Sequence, residues 1–133
     1  MWKSLGKYRD FGLLLLRVGV GAMFLLHGGP KLLGGPERWE KLGAAMNYLG
    51  VYKFPVVWGA LAGASEFFGG LCLILGLFFR PACLVLAFTM AVAANMHLGR
   101  GDGLQGASHA IEVGILFLSL VFIGPGRHSV DRG

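Results

Sequence analysis

Residues 11–28 read FGLLLLRVGVGAMFLLHG. As a helix, such a run is just long enough to cross the roughly 30 Å hydrocarbon core of a bilayer. One charge, Arg17, interrupts it. Three more apolar stretches follow, at 55–79, 81–98 and 107–123, and each also carries or borders an ionisable side chain. The pattern predicts an all-α transmembrane four-helix bundle, with residues 1–133 forming a single integral-membrane domain.

Composition agrees. Of 133 residues, 55% are hydrophobic and 14% charged, whereas soluble domains average about 25% charged. Once four spans are subtracted, little chain remains for a soluble catalytic domain. Any enzymatic role must use intramembrane or interfacial residues, or a partner subunit. The net charge of +5 comes from basic residues spread over both ends and two loops. With no basic run or aromatic-rich strand, nucleic acid is excluded as a partner. Scattered Lys and Arg flanking apolar spans suit a membrane interface.

Cys72 and Cys83 fall on opposite arms of a hairpin, at depths differing by roughly 7 Å. They read as small apolar fillers rather than a thiol redox motif. Lys3, Lys7 and Arg9 followed by leucines 13–16 imitate a signal peptide. Arg17 cuts that run, and no small-residue cleavage pattern follows, which predicts an uncleaved first span.

The first span is expected to stop at His27-Gly28-Gly29-Pro30. Residues 30–54 make the only long connection. Within it Pro36 suits a helix's first turn. Trp39, Leu42, Met46 and Leu49 recur at helical spacing opposite Glu37, Arg38 and Lys41. A short amphipathic helix lying at the membrane surface is expected there. Gly59 and Gly63 would let another helix approach closely, and the glycine content makes a homodimer a further expectation. Arg80-Pro81 is read as the next turn, and Gly124-Pro125-Gly126 as the final stop. Four spans put both termini on one side, and the basic residues before the first span favour the cytoplasm.

A charge at bilayer depth costs roughly 2.5–3.5 kcal/mol by insertion scales, so it is kept where it pairs or does chemistry. Counted from His27, Arg17 lies about 15 Å deep; counted from Pro55, Glu66 lies about 16 Å deep. A buried Arg17–Glu66 ion pair is expected. Asn95, His97, His109 and Glu112 come from the far ends of the third and fourth spans. With His27 and Lys31 they are expected to form one polar pocket away from the termini. Three readings fit it: a structural network, a site for a quinone or other small redox molecule, and a metal site. Without an HExxH or paired Glu-x-x-His signature, no metal is expected.

Arg17, the His27-Gly28-Gly29-Pro30-Lys31 segment, Glu66 within Gly63-Ala64-Ser65-Glu66-Phe67-Phe68-Gly69-Gly70, Arg80-Pro81, His97, Glu112 and the closing 124–131 segment fall in a recognisable order. Over residues 10–131 the chain resembles the DoxX family of small bacterial inner-membrane proteins. The resemblance implies a multi-pass bundle in the bacterial inner membrane. It also implies a redox-associated role, as a quinone-interacting subunit of a thiosulfate:quinone oxidoreductase-like complex with a soluble redox partner. Arg17, His27, Lys31, Glu66, His97 and Glu112 are the family-type polar positions. In that reading His27, His97, His109 and Glu112 handle protons as the catalytic set. His27, Lys31, Asn95, His97 and Glu112 hold the quinone or quinol, and Arg17 with Glu66 holds the bundle. A paired-cysteine motif is missing, which argues against disulfide chemistry within the chain. The alternatives are a carrier, channel or scaffold for a small solute or partner protein, and a metal-handling membrane protein.

Overall fold

The computed structural model describes residues 2–131, which contain helices and no strand. A 3₁₀ segment, Trp2–Tyr8, leads into α1 (Arg9–Leu33). Then come α2 (Pro36–Gly43), which continues as a 3₁₀ segment, Ala44–Leu49, and α3 (Pro55–Leu75). α4 (Phe79–Gly99) and α5 (Gly103–Ile123) complete the set. α1 with its leading turn, α3, α4 and α5 are each long and apolar enough to cross a membrane. Their outer faces remain apolar: Leu15, Leu26, Leu61, Phe68, Phe88 and Phe122 are all exposed. Helices that are hydrophobic all round belong in lipid.

The long helices pack in the order α1, α3, α4, α5. Phe24, Leu73, Phe79, Cys83, Leu86, Met90, Phe117 and Leu120 fill the centre. Among the described residues no Cα of α1 comes within 8 Å of one on α5. Side chains alone close that seam, with the Phe24 and Phe117 rings edge to face at 5.1 Å.

The sequence signals and the structure part company at two helix ends. α1 runs through His27-Gly28-Gly29-Pro30 to Leu33. A proline there ordinarily ends a helix, because its ring crowds the preceding turn and it offers no N–H. Here tertiary packing prevails. Gly28 lies so close to the backbone of Glu66 and Phe67 that a Cβ would have no room, and the Trp39 indole donates to the Lys31 carbonyl at 3.0 Å. The α3–α4 turn comes earlier than Arg80-Pro81. α3 ends at Leu75, Gly76 adopts a left-handed cap, and Pro81 sits in the first turn of α4, where its missing N–H costs nothing. The 81–98 and 107–123 spans both begin a few residues earlier than expected.

α2 begins with Pro36 at its first position and carries a polar face, as the sequence pattern predicts. It is held on α3 by two glycines: a Cβ at Gly43 would strike the Pro55 carbonyl, and one at Gly59 the Trp39 carbonyl. Gly63 receives the backbone of Lys31 and Leu32, so the 59/63 glycine face is used within the chain. Gly59→Ala should therefore lower stability by about 1–3 kcal/mol, the usual cost of overpacking. Gly19→Ala, whose Cβ meets open space, should leave the thermal midpoint in detergent where it is. Equal midpoints for both variants would contradict this packing.

After α5 the chain turns back beneath the bundle. Arg127 N–H donates to Asp10 Oδ1 at 3.0 Å, and Val130 N–H to the Leu75 carbonyl at 3.1 Å. The Asp131 carboxylate accepts from the N–H groups of Phe78 and Phe79 at 3.0 and 2.7 Å. It thereby caps α4, whose preceding residue Phe78 holds a strained left-handed φ of 48°. The end of the bundle carrying this strap is called the tail end below, and the opposite end the distal end.

Candidate functional site

The polar side chains fall into four groups. The first is Arg17, only 1% exposed. Its Nε donates to the Leu73 carbonyl at 3.0 Å and Nη1 to Pro125 at 2.8 Å. Nη2 donates to Ile74 at 3.2 Å and to His128 at 2.8 Å. Leu73 and Ile74 lie in the last turn of α3, where carbonyls run short of helical partners; the Leu73 carbonyl also accepts from the capping Gly76 N–H at 3.2 Å. The guanidinium supplies the missing donors and a positive charge at the negative end of the helix dipole. The other two carbonyls belong to the strap, so one side chain clamps α1, α3 and the tail.

The expected Arg17–Glu66 pair does not form. The depth match assumed that α1 stops at Gly28. Measured from its actual end at Leu33, Arg17 lies about 24 Å down, whereas Glu66 lies about 16 Å from the start of α3. Glu66, 4% exposed, pairs instead with Lys31, whose Nζ lies 2.9 and 3.0 Å from its two carboxylate oxygens. Lys31 lies on the same helix as Arg17, at the correct level.

The third group sits at the loop between α4 and α5. His97 Nδ1 lies 2.8 Å from Asp102 Oδ2, and Arg100 Nε donates to the same oxygen at 2.6 Å. Hydrogen bonds from His97 and Arg100 hold the Asp102 carboxyl below the usual carboxylate range. No signal in the apolar pattern marks this trio. The close spacing of His97, Arg100 and Asp102 around a short glycine-rich loop was the available clue.

The fourth group lines the seam between α1 and α5. On α1, Leu16, Val20, Phe24, His27 and Lys31 recur every three or four residues and share one stripe. On α5, Leu120, Leu116, Val113 and His109 do the same. The apolar members pack into the core, so the two stripes face one another. Going toward the distal end, the stripes change from apolar to polar. His27 and His109 are exposed, as is Glu112, one turn from His109. His27 keeps an edge contact with the Phe24 ring at 6.1 Å. Taking the Phe24–Phe117 contact as a common level, His27 stands about 4.5 Å and Glu112 about 7.5 Å beyond it. None of His27, His109 and Glu112 has a hydrogen bond or ion pair among the described residues.

The single pocket expected from the sequence is thus divided. His27 lies on the α1 stripe with Lys31 one turn away, and His109 and Glu112 lie together on α5. His97 is taken by Asp102. Asn95, two residues before His97 and so on another face of α4, donates to the Tyr48 carbonyl at 3.1 Å and anchors the 3₁₀ segment. No three described His, Cys, Asp or Glu side chains are grouped closely enough to hold a metal ion.

A family model described as DoxX matches residues 12–98. An uncharacterized protein of Haemophilus influenzae is 35% identical, over 97% of this chain and 95% of its own length. The inner membrane protein YqjF of Escherichia coli is 30% identical, over 95% of this chain and 94% of its own. The inner membrane protein YphA of the same organism is 29% identical, over 95% and 96%. No solved structure matches the chain.

Proposed function

The chain belongs to the DoxX family, and from that premise we propose a redox-associated protein of the bacterial inner membrane, the quinone-facing subunit of an oxidoreductase complex. Its termini face the cytoplasm, in keeping with Lys3, Lys7 and Arg9 beside the first span. Two relatives are named as inner membrane proteins. A soluble partner subunit supplies the electrons by oxidising a sulfur substrate.

The observation that carries this reading is the seam. Two imidazoles and a carboxylate, none with a hydrogen bond or ion pair among the described residues, lie on or beside the α1 and α5 stripes whose apolar members pack into the core. Glu112 is nine residues into α5, about 13 Å from its start. A carboxylate left without a partner at that depth costs a few kcal/mol, which a purely structural role does not repay. A quinone head is flat and apolar, with carbonyl oxygens at its edge, and it travels within the bilayer. An opening between two helices lets it enter sideways. His27 and His109 are placed to donate to those oxygens. Imidazole is the side chain best able to give and take protons near neutral pH. Glu112 would orient His109 and accept a proton from it. Lys31, one turn from His27 on the same stripe, connects the seam to the buried Glu66. When bound, the quinone supplies the two-electron acceptor that these side chains lack.

The test is binding of a short-chain ubiquinone analogue to the purified protein. His109→Ala and Glu112→Gln should each weaken binding about tenfold or more. Both side chains are exposed, so His109→Ala should leave thermal stability unchanged, and Glu112→Gln, which removes an unpartnered charge, should not lower it. Equal affinity for parent and variants, or no binding by the parent, would refute the proposal.

A further inference from the structure

On another side of α4, at the distal rim, lies a groove of about 260 Å³ that the quinone reading does not use. We propose that it holds the phosphate of an anionic phospholipid. One wall is the end of α2 and the 3₁₀ segment after it, with Lys41, Asn47 and Tyr48; the other is the last turn of α4, with Met96 and Arg100.

Two cations face this one space. Arg100 Nε donates to Asp102 at 2.6 Å, and its Nη2 lies 3.5 Å from His97 Nδ1. Among the described residues, Arg100 Nη1 has no hydrogen-bond partner, and Lys41 has neither a hydrogen bond nor an ion pair. A phosphodiester matches that pair, since guanidinium binds its oxygens as a fork and ammonium as a point charge. Asn47 and Tyr48 add neutral donors.

The groove is a fixed part of the fold. The Tyr48 ring lies against Gly99, where no Cβ would fit. Asn95 Nδ2 holds the Tyr48 carbonyl at 3.1 Å. The 3₁₀ wall is thereby joined to α4 at two points.

What lies below the groove selects a lipid over free phosphate. Val85, Phe88, Val92 and Met96 recur at spacings of three and four, so they form one stripe descending α4 from the groove. Val85 and Phe88 are exposed. A lipid whose phosphate sits between Lys41 and Arg100 can lay an acyl chain along that stripe. Inorganic phosphate gains nothing from it. The level also fits: the amphipathic α2 and its continuation lie where headgroups lie.

Native mass spectrometry with phosphatidylglycerol and phosphatidylcholine of matched chains tests this. The parent should retain phosphatidylglycerol at least fivefold better. Lys41→Gln with Arg100→Gln should weaken it about twenty-five-fold, from roughly fivefold for each cation. Arg38→Gln with Lys53→Gln removes equal charge from exposed positions outside the groove, and should stay within twofold of the parent. If the groove pair does not fold, Met96→Glu places a carboxylate in the groove and should abolish the preference. The proposal is overturned if both double variants lose lipid equally, if the parent shows no preference, or if millimolar inorganic phosphate displaces the lipid.

Discussion

Replacing Arg17 with methionine is expected to be one of the two most destabilising changes at polar positions in this chain. The guanidinium makes four hydrogen bonds to carbonyls, at 2.8–3.2 Å, and no carboxylate shares the work. Methionine fills much of the volume but removes the guanidinium donors from the Ile74, Pro125 and His128 carbonyls, while the Leu73 carbonyl keeps the Gly76 N–H at 3.2 Å. Each buried unsatisfied group costs about 1–3 kcal/mol. Two carbonyls belong to the strap and can relax toward water once it detaches, so the expected loss is about 4 kcal/mol rather than the full sum. Lysine should recover only part of it, since an ammonium has three donors and cannot reproduce the fork. Reversible unfolding in mixed micelles provides the measurement. Removing residues 125–131 should cost less in the Arg17→Met background than in the parent, because both changes break the same contacts. Independent, additive effects would mean that the strap and Arg17 are not one unit.

The second large effect is expected at Lys31 and Glu66. Removing one partner of a buried ion pair typically costs about 3–5 kcal/mol, because the other charge is left uncompensated. Here the partners are unequal: the side chains are 28% and 6% exposed. Lys31→Met strands a carboxylate that has no access to water. Glu66→Gln strands an ammonium that can still reach it and keeps an acceptor nearby. Lys31→Met should therefore be the worse variant. The double variant, Lys31→Met with Glu66→Gln, should be less destabilised than Lys31→Met alone. A double variant as unstable as the sum of the two would remove the case for a pair. The same cycle applied to Arg17 and Glu66 should show no coupling.

The sequence pattern carried the architecture well. Apolar run length gave four spans, and the alternation around Trp39 and Lys41 gave α2. What it carried poorly was depth. The His27-Gly28-Gly29-Pro30 stop is a local signal, and α3 overrides it by packing onto Gly28. That five-residue error assigned Glu66 to the wrong cation. The expectation for Arg17 was an ion pair with Glu66, whereas its hydrogen-bond partners are backbone carbonyls, which any residue supplies. Likewise nothing in the apolar pattern shows that Asp102 will curl back onto His97. The seam was only half legible: helical spacing put His109 and Glu112 on one face, while the absence of backbone contact between α1 and α5 is a property of the packed chain.

The clamp around Arg17 also bears on how this protein is made. The Pro125 and His128 carbonyls leave the ribosome more than 100 residues after the guanidinium they accept from. At about 5–20 residues per second, that is a wait of several seconds. Until then the first span sits in the bilayer with its charge incompletely satisfied. Arg17 is eight residues from the start of α1, about 12 Å, near enough for a long side chain to reach back toward the headgroups. Arrival of the final segment would complete the guanidinium's set of acceptors. Chains that lose that segment, by truncation or proteolysis, would remain in the waiting state, recognisable to membrane quality control by an unburied arginine.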